Sequence, residues 1–483
     1  MAVTPQRSTE PLTRRSATAL AEAIRSGETT AREVVEEHIA VLERMQPRTH
    51  ALAVDRFDAA RREADELDAR DEPVGPLHGV PCTIKESWAV EGMPNSAGLV
   101  ARREHRAEED ATAVARLRGA GAIALGVTNT SEMTMWIESH NHVYGRTNSA
   151  YSEKRTAGGS SGGEGAAVGS GGSPLGLGSD IGGSVRLPAF FNGVFGHKPS
   201  CGVIPNTGQF PVADGEAARM LTAGPICRRA EDLMPALRVL AGPDGTDPIA
   251  REVELGDPGD VDLASLDVVV SEKGWFLPVS RDLREARERA ADVLRGAGAT
   301  VRHESMKGLR RALELYVLAL KDGSPASFAE VLADAGVESV SLRRSLGGVV
   351  RKTGPHTLPT LLLLVVERVS GRIPEQRVRR AVAAAKSLAA EVEGVMGDGV
   401  LLHPPHARVA PKHGRTVGRA WAITPTAVFN LFEMPVTQVP LGLDRRGLPL
   451  GVQVVATRDR DHVSIACALE LERVVGGWVP PGD

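Results

Sequence analysis

Apolar positions fall at helical spacing over 30–45, where Val34, Val35, Ile39 and Leu42 line one face and charged residues fill the others. Thr30-Ala31-Arg32-Glu33 opens that stretch as a capping-box pattern, a hydroxyl and a carboxylate serving the unpaired N–H groups of a first turn. A second, charged helix is predicted over 56–70. The texture then changes. Val80-Pro81-Cys82-Thr83-Ile84-Lys85 reads as a short buried strand that ends in lysine, 113–117 as helix and 122–127 as an apolar strand. Residues 157–184 are dense in Gly and Ser, alternating strand-like and turn-like pieces. Further strands are predicted at 266–270, 400–402, 436–439 and 450–455, with helices at 282–296, 308–320, 374–395 and 460–474. Strands alternating with helices predict a layered α/β fold. No fixed-period repeat and no long linker divides the chain, so 1–483 reads as one domain, with N-terminal helices in 1–70 and a helical elaboration over 280–395.

Composition removes several classes of function. The chain is 42% apolar, ample for a large core, and its net charge of −4 gives no bulk electrostatic case for nucleic acid or an anionic membrane as partner. Cys82, Cys201, Cys227 and Cys467 lie far apart and form no CxxC, so neither a disulfide scaffold nor a zinc ribbon is expected, and a cytoplasmic location is the default. Arg14 and Arg15 precede only an Ala-rich stretch interrupted by Glu22, which reads as helix rather than signal peptide. The nearly aliphatic run Leu358–Val366 is nine residues, too short to cross a bilayer, so a soluble chain without a transmembrane segment is expected. The 13 histidines form no HExxH and no metal cluster, so no metal is expected. His403 and His406 could border a substrate channel, while Glu132 and Glu138 read as salt-bridged structure. Lysine is scarce: nine stand against 48 arginines. A lysine in an apolar flank therefore draws attention, because lysine can give up its proton and arginine cannot.

The Gly/Ser segment admits three chemical readings. Gly158-Gly159-Ser160-Ser161-Gly162-Gly163 could offer backbone N–H groups to a phosphate, but no Gly-Lys-Ser/Thr closes the loop and no ribose-binding acid follows at the right distance. The same residues match G-x-S-x-G, yet the preceding Ser152-Glu153-Lys154-Arg155-Thr156 is polar loop, where a nucleophile elbow needs a strand. The third reading joins Lys85 with Ser160, Ser161 and Ser184. A serine after Gly182-Gly183 sits beside bare N–H groups able to hold an oxyanion, and a desolvated lysine can act as its base. Spacing alone leaves open a plainer reading, a salt-bridged lysine and a solvated glycine loop.

Gly158 through Gly165, continued by Gly178-Ser179-Asp180-Ile181-Gly182-Gly183-Ser184-Val185-Arg186, closely resembles the signature of the amidase signature family. The resemblance extends over essentially the whole chain, through Val80–Ser87, Thr128-Asn129, Gly196-His197-Lys198-Pro199 and Pro435-Val436-Thr437-Gln438. Glu164, Met135-Trp136-Ile137-Glu138-Ser139, Tyr144-Gly145-Arg146 and Ala410-Pro411-Lys412-His413 are most similar to the fatty-acid amide hydrolase branch. This resemblance implies one α/β domain, a central mixed β-sheet covered by helices on both faces, with 280–395 near the substrate pocket. It implies Ser184 as acyl-forming nucleophile, Ser160 as bridging serine after a cis peptide bond, and Lys85 as base. Backbone N–H groups of Ile181, Gly182, Gly183 and Ser184 would form the oxyanion hole, braced by Ser161, Asp180 and Arg186. Met133, Met135 and Trp136 could line an acyl pocket, or equally belong to the core.

The implied function is hydrolysis of a C–N bond in a small-molecule apolar acyl or aryl amide, through a covalent acyl-enzyme and without metal or organic cofactor. Carbamate or ester cleavage is an alternative, as is a glutaminase-like subunit of an aminoacyl-tRNA amidotransferase. A non-catalytic anion- or nucleotide-binding protein is a more remote one. A homodimer is compatible with the sequence.

Overall fold

Alternation along the strands sets the layers, because successive side chains of a strand point to opposite faces. Val268, Val270, Val400, Leu402, Val454 and Ala456 pack to one side, together with helices Arg281–Gly296 and Asp461–Val475. Val269, Leu401, Val436 and Val455 pack to the other, against helices Ala312–Ala319, Glu375–Met396 and Thr424–Leu431. The far end repeats the scheme. Ile123 and Leu125 meet helices Ala31–Thr49, Phe57–Asp68 and Gly162–Gly169, while Ala124 and Val127 face the larger core. In this computed structural model, residues 9–273, 278–322, 328–337, 354–370 and 373–482 are described.

The result is one α/β domain around an 11-stranded mixed sheet. In spatial order the strands are 52–55, 123–128, 81–85, 175–180, 222–227, 195–198, 436–443, 449–456, 400–403, 267–273 and 300–305. Strand 81–85 runs parallel to both 123–128 and 175–180, and 267–273 runs parallel to both 400–403 and 300–305; the other neighbours are antiparallel. Strands 81–85 and 175–180 therefore deliver their carboxyl ends, Lys85 and Asp180, to the same edge. In α/β sheets that edge is where ligands bind.

Helix Ala31–Thr49 starts where the capping pattern places it, with the Thr30 hydroxyl accepting from the Glu33 N–H at 3.0 Å. The glutamate half of the box is diverted, since Glu33 accepts from the Thr29 hydroxyl at 2.7 Å instead. Among the described residues of 280–395 the helices are Arg281–Gly296, Ala312–Ala319, Phe328–Asp334, Leu358–Ser370 and Glu375–Met396, and Thr300–Ser305 is a polar strand at the sheet edge. Within that stretch, residues 323–327, 338–353 and 371–372 lie outside the described residues. Leu361 and Leu364, from the aliphatic run Leu358–Val366, are buried with Leu99, Met133, Leu332 and Ala335. Among the described residues no helix is long and apolar enough to cross a membrane.

Candidate active site

Lys85 reaches its position because all of strand Pro81–Lys85 is buried between two parallel neighbours. Its Nζ donates to Ser160 Oγ at 2.6 Å and to Ser179 Oγ at 2.9 Å, and the side chain is inaccessible to solvent. Burial disfavours the ammonium form and pulls the Lys85 pKa down to about 7, against the opposing charges of Asp180, Glu164 and Glu86. Ser160 follows a cis peptide bond from Gly159. Its carbonyl accepts from the hydroxyls of Thr130 and Ser139, each at 2.9 Å. These two contacts fix Ser160 at the mouth of helix Gly162–Gly169.

Ser184 lies on the turn that follows strand Leu175–Asp180. The Ser161 N–H donates to the Ser184 carbonyl at 3.2 Å, joining the two serine-bearing loops directly. Exposure increases along the series Lys85 0%, Ser160 1%, Ser184 9%, so the third residue is the one a ligand can reach. Among the described residues Ser184 Oγ makes no hydrogen bond and none links it to Ser160 Oγ. Hydrogen bonds of this type commonly tighten only when substrate is bound.

The turn is held by Asp180 and Arg186. Asp180 accepts from the N–H groups of Gly183 at 2.7 Å and Val185 at 3.0 Å, and from the Arg186 guanidinium at 3.0 Å. Burial alone would raise the Asp180 pKa; the Arg186 charge and its hydrogen bonds hold it well below the usual carboxylate range. Arg186 is itself fully satisfied by the Thr426 carbonyl, Gln453 and Asn430 at 2.6–2.9 Å. Removing one partner of such a buried pair strands the other charge. Arg186→Met is therefore expected to cost about 3–5 kcal/mol, read as a lowered urea midpoint.

The expected oxyanion donors differ in their surroundings. The Gly183 N–H is already engaged by Asp180, whereas among the described residues no acceptor faces the N–H groups of Ile181, Gly182 or Ser184. Gly183 instead supplies the turn: its φ is 122°, and a Cβ there would lie 2.2 Å from Thr426 Oγ1. The Ser161 hydroxyl donates to the Ser179 carbonyl at 3.3 Å.

Of the expected pocket residues, Met135 and Trp136 line a cavity of about 1020 Å³, with Val100, Leu358, Leu363 and Val417 as apolar neighbours. The backbone of Trp136–Glu138 packs against Gly159, where a Cβ would meet the Trp136 carbonyl at 2.5 Å. Lys85, Ser160 and Ser184 are not lining residues of that cavity. Met133 is fully buried in the cluster around Leu361 rather than in the cavity wall. Beside the Ser184 turn a second apolar group gathers Met220, Tyr316, Ala319 and Ala427, with Ile181 and Leu320 against it. The Tyr316 hydroxyl donates to the Ile181 carbonyl at 3.0 Å.

Glu132 pairs with His356 at 2.7 Å and Glu138 with His413 at 3.4 Å, the structural roles their sequence context suggests. His403 and His406 are buried against Phe429 and Phe191, away from the cavity wall. Sequence reasoning missed Thr130, Ser139, Ser179, Tyr316, Thr426 and Asn430. Ser179 and Ser139 carried a signal, as hydroxyls inside family-like motifs; the others lie outside those motifs.

The amidase family model matches residues 33–464. Fatty-acid amide hydrolase 2-B of Danio rerio is 42% identical over 493 residues, covering 98% of this chain and 92% of that protein. A glutamyl-tRNA(Gln) amidotransferase subunit of Salinispora tropica is 31% identical over 501 residues, covering 97% of this chain and 99% of that protein. Among solved structures, 6-aminohexanoate cyclic dimer hydrolase complexed with substrate superposes with a TM-score of 0.80 at 25% identity, covering 96% of this chain and 97% of that one.

Proposed function

This chain belongs to the amidase signature family of hydrolases acting on amide C–N bonds, and from that premise we propose that it cleaves apolar acyl or aryl amides through a Lys85–Ser160–Ser184 relay. The contact that carries the reading is Lys85 Nζ to Ser160 Oγ, 2.6 Å long and sealed from water. Neutral Lys85 takes the Ser160 proton as Ser160 takes that of Ser184, and Ser184 Oγ attacks the amide carbonyl. The N–H groups of Ile181, Gly182 and Ser184 stabilise the tetrahedral oxyanion. The proton travels back along the relay to the departing nitrogen, which leaves as the amine, and water then hydrolyses the Ser184 ester to release the acid. Asp180, Ser161 and Arg186 hold the turn without reacting.

Two observations support an apolar acyl or aryl group: the name of the Danio rerio relative and the apolar group of Met220, Tyr316, Ala319 and Ala427 beside the Ser184 turn. Each methylene buried against such a group contributes at most about 0.8 kcal/mol. Across p-nitroanilides with two- to twelve-carbon acyl groups, kcat/KM is expected to rise severalfold. A flat or falling series would assign a small polar amide instead. The match to an amidotransferase component supports a second reading, a glutaminase-like subunit. Ammonia release from glutamine, with no turnover of the anilides, would favour it.

A further inference from the structure

The proposed relay makes no use of Glu164, a fully buried carboxyl in the first turn of helix Gly162–Gly169. Three residues around Lys85 converge on it. Thr83, two positions before Lys85 and so on the same face of the strand, donates its hydroxyl to Glu164 Oε2 at 2.6 Å. Thr128, the partner of Lys85 across the parallel ladder, donates to Oε1 at 2.6 Å. Gly176, the partner of Thr83 on the other side, leaves the space the carboxyl fills: a Cβ there would sit 2.0 Å from Oε2. Among the described residues no cation pairs with Glu164 directly, so its charge acts across the sheet face on Lys85.

We propose that Glu164 is a positioning residue for Lys85, a carboxyl clamped by Thr83 and Thr128 that sets how readily the lysine gives up its proton. The inference rests on the reading of Lys85 as the base. The other charged groups facing Lys85 are Asp180, held by Arg186, and Glu86, which accepts from the Ser96 and Tyr144 hydroxyls at 2.6 and 2.8 Å. Burial pushes the Glu164 pKa up to about 8, opposed by the two threonine hydrogen bonds and by Lys85. Both threonine hydroxyls donate to the carboxyl, a pattern that favours its anion. As an anion it favours the Lys85 ammonium; as an acid it releases that hold. A purely space-filling role would be met equally by glutamine.

The test uses the full-length enzyme with lysine labelled by carbon-13 at the ε carbon, nine lysines in all, the Lys85 signal being assigned by its loss in Lys85→Arg. Glu164→Gln removes the charge and keeps the shape. The Lys85 titration midpoint, and with it the acidic limb of kcat/KM, is expected to fall by at least about half a pH unit. Thr128→Val withdraws one hydrogen bond from the carboxylate form, so a smaller fall in the same direction is expected, and this variant carries the test if Glu164→Gln does not fold. An unmoved Lys85 midpoint overturns the proposal, whatever happens to rate or melting temperature. A midpoint that moves while the rate limb stays fixed upholds the role of Glu164 and rejects Lys85 as the base.

Discussion

Ser184→Ala is expected to lower kcat/KM for an amide substrate by roughly ten-thousandfold or more, because removing the member of a relay that bonds to substrate disables the whole unit. The fold should survive. Ser184 Oγ makes no hydrogen bond among the described residues, and the contact that ties its turn to the Ser160 loop uses the Ser184 backbone carbonyl, which alanine retains. Circular dichroism and urea denaturation of the variant are expected to match wild type within about 1 kcal/mol. Substantial residual amidase activity would mean that another group attacks the carbonyl. Ser160→Ala should act differently: it breaks the hydrogen bond to Lys85 Nζ, so both activity and local order are expected to fall.

Lys85→Ala is expected to lose at least about a hundredfold in kcat/KM, the lower end for a general base. Lys85→Arg should not restore it, because a guanidinium stays protonated at every accessible pH. The sign of the pH dependence follows from the lowered pKa. Lys85 titrates at about 7 rather than its ordinary 10.5, so wild-type kcat/KM should rise from acid pH and level off above neutrality. An unperturbed lysine would place the same rise roughly three pH units higher. An active Lys85→Arg enzyme, or a pH profile flat between 5 and 9, would contradict the relay.

The proposed relay draws on two local patterns of the sequence, a lysine at the end of a short apolar strand and serines beside paired glycines. Spacing alone left their partnership open; resemblance to a family joined them. Other parts were hidden for physical reasons. Helix Gly162–Gly169 has four glycines, a composition that opposes helix. It forms because tertiary contact outweighs propensity: a Cβ on Gly163 would lie 2.4 Å from the Asn129 nitrogen, and one on Gly165 2.7 Å from the Pro188 carbonyl. Strand Thr300–Ser305 alternates weakly because it borders solvent, and Thr222–Cys227 contains the Gly-Pro pair that ordinarily argues against a central strand. Asn430, which donates to Asp180 at 2.9 Å, is 250 residues away in sequence, so no spacing rule could bring it to the turn. The surroundings of the Gly183 N–H were hidden for a related reason: a Gly-Gly-Ser sequence offers bare donors, but only the fold reveals which one donates to a carboxylate.

The central claim is that Ser184 carries the acyl group. The direct measurement is peptide mass spectrometry after reaction with a fluorophosphonate probe, which phosphonylates an activated serine and releases fluoride. The expected result is one adduct, on Ser184, absent from Ser184→Ala and formed much more slowly in Lys85→Ala. An adduct on Ser160 or on a cysteine, or equal labelling of wild type and Ser184→Ala, would contradict it.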